Sequence, residues 1–291
     1  MSWGDSNGST MAGSSYAVDI SKITNGQQAS LQDSVAVEEP LEIRIGFSTP
    51  DGRATRSVSI TMRTPGNDEE LAAGFLYGES IISHAGDIAS IEVCGPPAPD
   101  SGNHNVIRVD LRADVEFDLG RLQRHFYTTS SCGVCGKTSL DALRAVGALE
   151  QSGNTTSFPT SVLVTIPGKL RAAQATFEET GGLHAAAAFD TSGALVVTME
   201  DVGRHNAVDK VIGALLLQDN LPAKDLGLMV SGRASFELMQ KALMAGMPLL
   251  AAVSAPSSLA VQLATEFDVT LVGFLRDNNF NIYAGEQRIT E

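Results

Sequence analysis

The sequence predicts an α/β protein with a smaller α+β domain in its first half. The first half has strands with alternating apolar residues around one amphipathic helix, in the order β-β-α-β-β. The second half has continuous apolar strands separated by amphipathic helices, which is typical of parallel strands with both faces covered. At 291 residues, with 43% hydrophobic and 19% charged residues, the chain is long enough for two domains with buried cores.

The charge and hydropathy of the chain argue against several classes of function. Twenty basic residues against thirty-four acidic ones give a net charge of −14, which argues against a nucleic-acid footprint and a polybasic membrane anchor. No stretch approaches the roughly eighteen uninterrupted apolar residues of a spanning helix, and the N-terminus lacks a secretory signal. Three cysteines, an odd number, do not make a disulfide framework. We therefore expect a cytoplasmic protein with no nucleic-acid or membrane partner.

Changes in composition divide the chain into four segments. Residues 1–34 have low complexity and no apolar period, which predicts a flexible extension. A small α+β roll domain is expected at 35–126, a cysteine loop and linker at 127–160, and an α/β domain at 161–288. No repeat of roughly 20–50 residues is visible, which argues against a solenoid.

The roll domain is predicted from alternation and turn chemistry. Its expected elements are strands at 41–47 and 57–63, a helix that ends at Gly78, and strands at 88–93 and 105–111. The Ser48–Gly52 turn joins the first two strands as a hairpin, because Pro50 presets φ and Gly52 accepts a positive φ. Asn67, with Glu70 three residues later, predicts an Asx-type capping box at the start of the helix.

The α/β domain is predicted from alternating strands and helices. Its expected elements are a strand at 162–166, a helix at 170–179 that ends at Gly181, a hairpin of strands 184–189 and 195–198, a helix from Asn206, and strands at 226–230, 249–253 and 269–274. Ligands of open parallel sheets bind beyond the carboxyl ends of the strands. We therefore expect a candidate binding site beyond the carboxyl ends of the last three strands.

The sharpest chemical motif is Cys132-Gly133-Val134-Cys135, in a polar, glycine-punctuated segment. The thiolate is the reactive form of cysteine, and a neighbouring cation such as Lys137 favours it. Such a pair is suited to disulfide exchange, to zinc binding, or to carrying a persulfide sulfur with the second thiol assisting. The motif alone does not choose among these three chemistries. Cys94 is interpreted as a lone thiol at the end of a strand.

The second motif consists of the polar sequences that follow the last three strands. They are Ser231-Gly232-Arg233, Ser254–Ser258 and Leu275–Asn279. Two of them open helices, whose free N–H groups would face the same crevice as Arg233 and Arg276. This predicts an anion site, with phosphate the natural ligand. The alternative is that these residues only cap helices.

Two histidines follow glycines in the α/β half. His205 opens a predicted helix and is suited to an acid, base or ligand contact, with a structural role almost as good an interpretation. His184 invites comparison with zinc deaminases, whose signature is His-x-Glu followed by Pro-Cys-x-x-Cys. Ala186 stands at the Glu position and Ser231–Ser235 offers no thiol, so we expect no metal site.

With these motifs the chain resembles the FdhD/NarQ family, the formate dehydrogenase accessory sulfurtransferases, over roughly residues 38–288. The matching stretches are Ser130–Lys137, Thr180–Ala186, Glu200–Lys210, Ser231–Arg233 and Ser254–Ser258. The resemblance implies a cytidine-deaminase-like three-layer C-terminal domain behind an N-terminal β-roll. It also implies a homodimer.

The resemblance further implies a sulfurtransferase with a cysteine persulfide intermediate. A cysteine desulfurase would supply the sulfur, with Cys132 as carrier and Cys135 as companion thiol. The sulfur would pass to the molybdenum or tungsten bis(molybdopterin guanine dinucleotide) cofactor before insertion into the formate dehydrogenase apoenzyme. That cofactor would be a bound substrate, and no permanently bound cofactor is expected.

The resemblance also places the nucleotide of that substrate in the crevice. The expected contacts are Ser231, Gly232, Arg233, His205, Phe274, Leu275, Arg276, Asp277, Asn278 and Asn279. The family pattern has a glycine and a second basic residue where this chain has Asp277, Asn278 and Asn279. This chain therefore lacks one basic side chain that the family pattern offers to the phosphates.

Two other functions use the same cysteines. One is a thiol–disulfide oxidoreductase, although thioredoxin-like motifs open a helix soon after a strand, and here a long polar run precedes Cys132. The other is a non-catalytic chaperone of the cofactor and its apoenzyme, with Cys132 and Cys135 in a zinc clip.

Overall fold

The computed structural model describes residues 13–99, 101–115 and 153–291, which form a mixed α/β fold. The described strands are β1 (Ser15–Thr24), β2 (Gln27–Ala36), β3 (Glu39–Thr49), β4 (Gly52–Arg63), β5 (Ile88–Pro97), β6 (His104–Leu111), β7 (Phe158–Pro159), β8 (His184–Phe189), β9 (Leu195–Asp201), β10 (Gly227–Val230), β11 (Leu249–Ala252), β12 (Thr270–Arg276), β13 (Asn279–Ala284) and β14 (Ile289–Thr290). The described α-helices are α1 (Asp68–Gly78), α2 (Thr160–Leu163), α3 (Ile166–Ala172), α4 (Ala175–Thr180), α5 (Arg204–Leu217), α6 (Phe236–Met244) and α7 (Ser258–Glu266). None of these helices is long and apolar enough to cross a membrane.

The roll is a four-stranded sheet in the order β4-β3-β6-β5. Strands β3 and β4 pair antiparallel, β3 and β6 pair parallel, and β5 and β6 pair antiparallel. The inner face presents Leu41, Ile43, Ile107 and Val109, which are fully buried in the same hydrophobic cluster as the apolar residues of α1. The predicted β-β-α-β-β order is confirmed.

The start of α1 differs from the predicted capping box. Asn67 has a φ of 56° and its side chain makes no capping hydrogen bond, whereas a capping residue needs an extended backbone. The buried Arg63 guanidinium requires a counter-charge and takes Asp68, with N–O distances of 2.9 and 3.0 Å. The capping-box prediction was wrong, because the arginine at the end of β4 fixes the entry to the helix. The helix ends at Gly78 as predicted.

The larger sheet has six strands in the order β13-β12-β11-β10-β8-β9. The central strands β10, β11 and β12 are parallel, and β8, β9 and β13 pair antiparallel with their neighbours. The three predicted core strands and the β8–β9 hairpin are confirmed. The specific deaminase-like arrangement stays a prediction.

Residues 15–34 form most of a β hairpin where the sequence predicts a flexible extension. Strands β1 and β2 pair antiparallel from Ser15↔Ala36 to Thr24↔Gln27. Asn25 and Gly26 have φ values of 52° and 79°, which is the geometry of a two-residue type I′ turn. At its base the hairpin is tied to α4 by a 2.7 Å hydrogen bond from Ser15 Oγ to Glu179 Oε1. The prediction missed these strands because their apolar alternation is diluted by polar residues.

The segment predicted as a strand at 162–166 is helical. Pro167 lies in the first turn of α3, where its missing N–H costs nothing. Ile166 and Leu170 share one face of α3, and Leu163 is the last residue of α2. All three are buried in one hydrophobic cluster with the aromatic pair Phe158 and Phe189. The prediction of a strand was wrong, because the β-branched residues Val162, Val164 and Ile166 favour an extended backbone when the local sequence is considered alone.

The two sheets are joined through the crossing of α1 and α5. A Cβ atom added to Gly74 would collide with the carbonyl oxygen of Asp209, and one added to Gly213 would collide with that of Glu70. The two helix backbones are therefore in direct contact. One hydrophobic cluster runs continuously from the roll into the larger sheet, for example from Leu41 to Val208.

Candidate anion-binding site

The loops that follow β10, β11 and β12 are hydrogen-bonded neighbours. The N–H of Ser254 donates to the carbonyl of Gly232 at 3.2 Å, and the N–H of Phe274 donates to the carbonyl of Ser254 at 3.2 Å. The N–H of Ser257 donates to the carbonyl of Ala234 at 2.9 Å. The predicted convergence of these three loops is thus present in the structure.

Strand β8 adds His184 to the same edge. Because β8 is antiparallel to β10, its first residue lies beside the last residues of β10. The N–H of Ser231 donates to Ala185 O, and the Ser231 hydroxyl accepts from Ala185 N–H, both at 2.9 Å. A Cβ on Gly232 would lie 3.6 Å from His184 Nδ1 and 3.9 Å from Arg204 Cδ. Gly232 therefore lies against His184 and Arg204.

Much of the Glu200–Lys210 motif builds the scaffold beneath the site. Asp201 is fully buried and accepts hydrogen bonds from Gly203 N–H at 2.8 Å and Asn206 Nδ2 at 3.0 Å. Its other oxygen lies 2.8 Å from Lys210 Nζ. These contacts fix the turn from β9 into α5.

The other acidic residues of the motif are also engaged. Glu200 accepts the N–H groups of Thr176 and Phe177 at 3.0 and 2.8 Å. Asp209 forms a buried ion pair with Lys241 at 2.6 Å. Burial raises the pKa of Asp209, and the positive charge of Lys241 opposes this rise.

Arg204 and His205 are the two polar motif side chains that take no part in these scaffold contacts. Arg204 Nε and His205 Nε2 are buried atoms without a hydrogen-bond partner among the described residues. The Glu237 carboxylate lies 3.9 Å from His205 Nε2. Interaction with His205 lowers the pKa of Glu237 from 4.5 to about 2, with support from its own N–H and from Ser235, against the effect of burial.

His184 differs from His205 in its surroundings. Burial lowers the pKa of His184 below its usual 6.5, and the positive charges of Arg204 and His205 lower it further, while Asp201 opposes the shift. These surroundings favour the neutral form of the imidazole, in which one ring nitrogen donates a hydrogen bond and the other accepts one.

Arg233 and Arg276 are exposed, and neither is in an ion pair within the described part of the chain. The Arg276 guanidinium lies 6.0 Å from the centre of the Phe274 ring. Ser235 precedes α6 and makes no side-chain capping bond, so the first-turn N–H groups other than that of Glu237, which interacts with its own carboxylate, have no capping side chain. Exposed guanidinium groups beside a helix N-terminus suit an anion such as phosphate.

The predicted segment Phe274–Asn279 is the end of β12 and a tight turn into β13. Phe274 has a φ of 54°, and Asp277 and Asn278 have φ values of 52° and 60°. Leu275 is fully buried in the core, so its side chain is not available to a ligand. The three polar residues of the turn are exposed.

The remaining predicted site residues are the two thiols. Cys132 and Cys135 lie outside the described residues. Cys94 is a free cysteine on β5. In the residues that the structure describes, no group of three or more His, Cys, Asp or Glu side chains is arranged to hold a metal ion.

Comparison with known proteins gives a consistent result. The model of the FdhD/NarQ family matches residues 36–290. The chain is 51% identical to the "Sulfur carrier protein FdhD" of Mycolicibacterium paratuberculosis over 93% of its own length and 97% of the relative's. It is 42% identical to the protein of that name from Sulfolobus acidocaldarius over 94% and 97%. The crystal structure of a chain described as a formate dehydrogenase accessory protein from Desulfotalea psychrophila shares the fold, with a TM-score of 0.70, 24% identity and coverage of 95% and 100%.

Proposed function

The chain belongs to the FdhD/NarQ family, and from that premise we propose that it is a sulfur carrier that serves formate dehydrogenase. The observation that carries this proposal is the 51% identity to a protein named sulfur carrier over nearly the whole of both chains. The anion crevice supports it, because a carrier must hold its acceptor as well as its sulfur. We place this activity in the cytoplasm of the cell and in a homodimer.

Sulfur loading would use the Cys132 thiolate. This thiolate would attack the outer sulfur of a persulfide on a cysteine desulfurase, so that a new S–S bond forms on Cys132 and the desulfurase cysteine leaves as a thiolate. The exchange consumes no oxidant, because one S–S bond replaces another. Cys135, three residues on, would be the companion thiol.

Sulfur delivery would take place at the crevice. The acceptor would be the molybdenum or tungsten bis(molybdopterin guanine dinucleotide) cofactor, held as substrate before its insertion into the formate dehydrogenase apoenzyme. A nucleophilic atom of the acceptor would attack the outer sulfur and supply the electron pair for the new bond to it, while the S–S bond breaks and Cys132 leaves as its thiolate. Arg204, Arg233 and Arg276 are the cations available for the phosphates of the nucleotide.

Intact-mass measurement tests the loading step. After incubation with a cysteine desulfurase and cysteine, the wild-type protein should gain the mass of sulfur, and the adduct should disappear on reduction. Cys132→Ala should abolish the adduct and the maturation of formate dehydrogenase in cells, because the attacking thiolate is gone.

Cys94→Ala is the matched control, since Cys94 is a free cysteine on a strand of the roll. This variant should load sulfur as the wild type does. An adduct that persists in Cys132→Ala and is lost in Cys94→Ala would overturn the choice of carrier.

A further inference from the structure

Thr64 connects the roll to the turn that leads into α5. It lies in the loop between β4 and α1 and is only 3% exposed. Its N–H donates to Asp201 Oδ2 at 3.2 Å, and its hydroxyl oxygen accepts the N–H of Val202 at 3.2 Å. Its carbonyl accepts a hydrogen bond from Lys210 Nζ at 3.0 Å. The N–H, the hydroxyl and the carbonyl of this roll residue are therefore all bonded to the β9–α5 segment.

The end of β4 adds two hydrogen bonds to the same part of α5. Asn206 Nδ2 donates to Met62 O at 2.7 Å, and the Thr61 hydroxyl donates to Asn206 Oδ1 at 3.2 Å. Asn206 is the third residue of α5 and is buried. The first turn of α5 is thus held from the roll by both backbone and side-chain groups.

The turn that Thr64 holds leads directly to Arg204, the first residue of α5. The turn begins at Asp201, which pairs with His184 across β8 and β9. A Cβ on Gly232, in the loop after β10, would lie 3.9 Å from Arg204 Cδ. Arg204 Nε has no hydrogen-bond partner among the described residues. The place where Arg204 meets this loop is therefore set by its backbone, and that backbone is held by the turn.

We propose that Thr64 is a positioning residue of the anion crevice: by holding the turn 201–203, it fixes Arg204 beside the loop after β10. This role rests on the proposed function, since the anion is the nucleotide of the acceptor. Thr64 acts through the turn and makes no contact with the ligand. The roll thereby contributes to binding at a site that is built on the larger sheet.

Removal of the Thr64 hydroxyl tests this role through the affinity for GDP. Thr64→Val keeps the shape of the side chain but leaves the Val202 N–H without its acceptor, so the affinity in calorimetry should fall about threefold to tenfold. Thr64→Ser, which keeps the hydroxyl, should bind GDP as the wild type does. In the Arg204→Ala background, Thr64→Val should cause less than about a twofold further loss, since Thr64 acts through Arg204. Fully additive losses would overturn the proposal.

Thr270→Val is the matched control for stability. Thr270 is also buried, and its hydroxyl donates to Gly285 O at 2.7 Å, but it is the first residue of β12, at the end of the strand away from the crevice. Both valine variants should lower the midpoint of urea unfolding, whereas only Thr64→Val should weaken GDP binding. Equal GDP affinities in the two valine variants would reduce Thr64 to a structural role and overturn the proposal. Should Thr64→Val fail to fold, Thr64→Ala replaces it.

Amide hydrogen exchange without nucleotide separates this proposal from the proposed function. The Val202 N–H should exchange about threefold or more faster in Thr64→Val than in the wild type and in Thr270→Val, and at the wild-type rate in Thr64→Ser. An unchanged rate in Thr64→Val overturns the role of Thr64. Absence of GDP binding in the wild type, with faster exchange in Thr64→Val, overturns nucleotide binding at the crevice and leaves the hold of Thr64 on the turn standing.

Discussion

An arginine that has no carboxylate partner keeps its charge available for a ligand. The Arg63 side chain is buried and its charge is paired with Asp68, so it is not available to a ligand. Arg233 and Arg276 are exposed and in no ion pair within the described residues, although the protein carries a net charge of −14. In so acidic a chain, two such arginines at the carboxyl ends of the strands favour recruitment of an anion.

At the residue scale, removing either arginine should weaken the binding of GDP. Charge-assisted hydrogen bonds contribute roughly 1.5–3 kcal/mol each, so Arg233→Ala or Arg276→Ala should lower the affinity about tenfold to a hundredfold in calorimetry. Persulfide loading on Cys132 should be unchanged, because the proposed loading step does not involve either arginine.

The matched control for these variants is Arg56→Ala. Arg56 is exposed on β4 and is in no ion pair among the described residues. Arg53 is a poorer control, because it donates to Leu111 O at 2.9 Å and pairs with Asp110 at 3.0 Å. Equal affinity in the wild type and all three variants would show that the crevice is a set of helix caps.

At the element scale, α5 depends on the buried pair between Asp201 and Lys210. Asp201→Ala would leave the buried Lys210 ammonium without a counter-charge and release the turn at Gly203. Breaking a buried pair from one side costs about 3–5 kcal/mol, and urea unfolding should show a loss of this size.

The double variant Asp201→Ala with Lys210→Met should recover part of that loss, because it removes the unpaired charge together with its partner. Thr165→Ala provides a comparison at the surface, since its hydroxyl is exposed and bonds locally to Val162 O. A double variant as unstable as Asp201→Ala alone would mean that the hydrogen bonds to the turn dominate.

The same scale separates the elements that the sequence predicts from those it does not. Strands β10, β11 and β12 are predictable, because a continuous apolar run bounded by small polar residues has few other interpretations. The β1–β2 hairpin and helices α2 and α3 are not, because their local patterns are weak and tertiary packing decides them. The adjacency of the loops after β10, β11 and β12 can be predicted, because it follows from the order of these strands in the sheet. The approach of His184, and of Glu237 to His205, depends on the register of β8 against β10 and on how α5 meets α6, which no local pattern encodes.

At the scale of the whole molecule, the roll and the larger sheet are built on one core. The crossing of α1 and α5 brings backbone against backbone, and Tyr77 of α1 donates its hydroxyl to Met244 O at 2.9 Å, from the roll to the end of α6. Unfolding of the roll alone would expose the core that it shares with the larger sheet, so a separate unfolding step is unfavourable. We therefore expect the two to unfold together.

Gly74→Ala tests this cooperativity, because the added methyl group must displace the carbonyl of Asp209 and push α1 away from α5. Overpacking of this kind costs roughly 1–3 kcal/mol. Native-state hydrogen exchange should show the loss equally in β3 of the roll and in β11 of the larger sheet, since both are protected by the same global unfolding. Gly168→Ala is the control: a Cβ there meets no atom within 4 Å, and alanine in place of glycine in α3 should leave stability unchanged or raise it by up to about 1 kcal/mol. If Gly74→Ala lowers the protection of β3 while β11 keeps its wild-type value, the roll is an independent folding unit, and the shared core does not couple the two sheets.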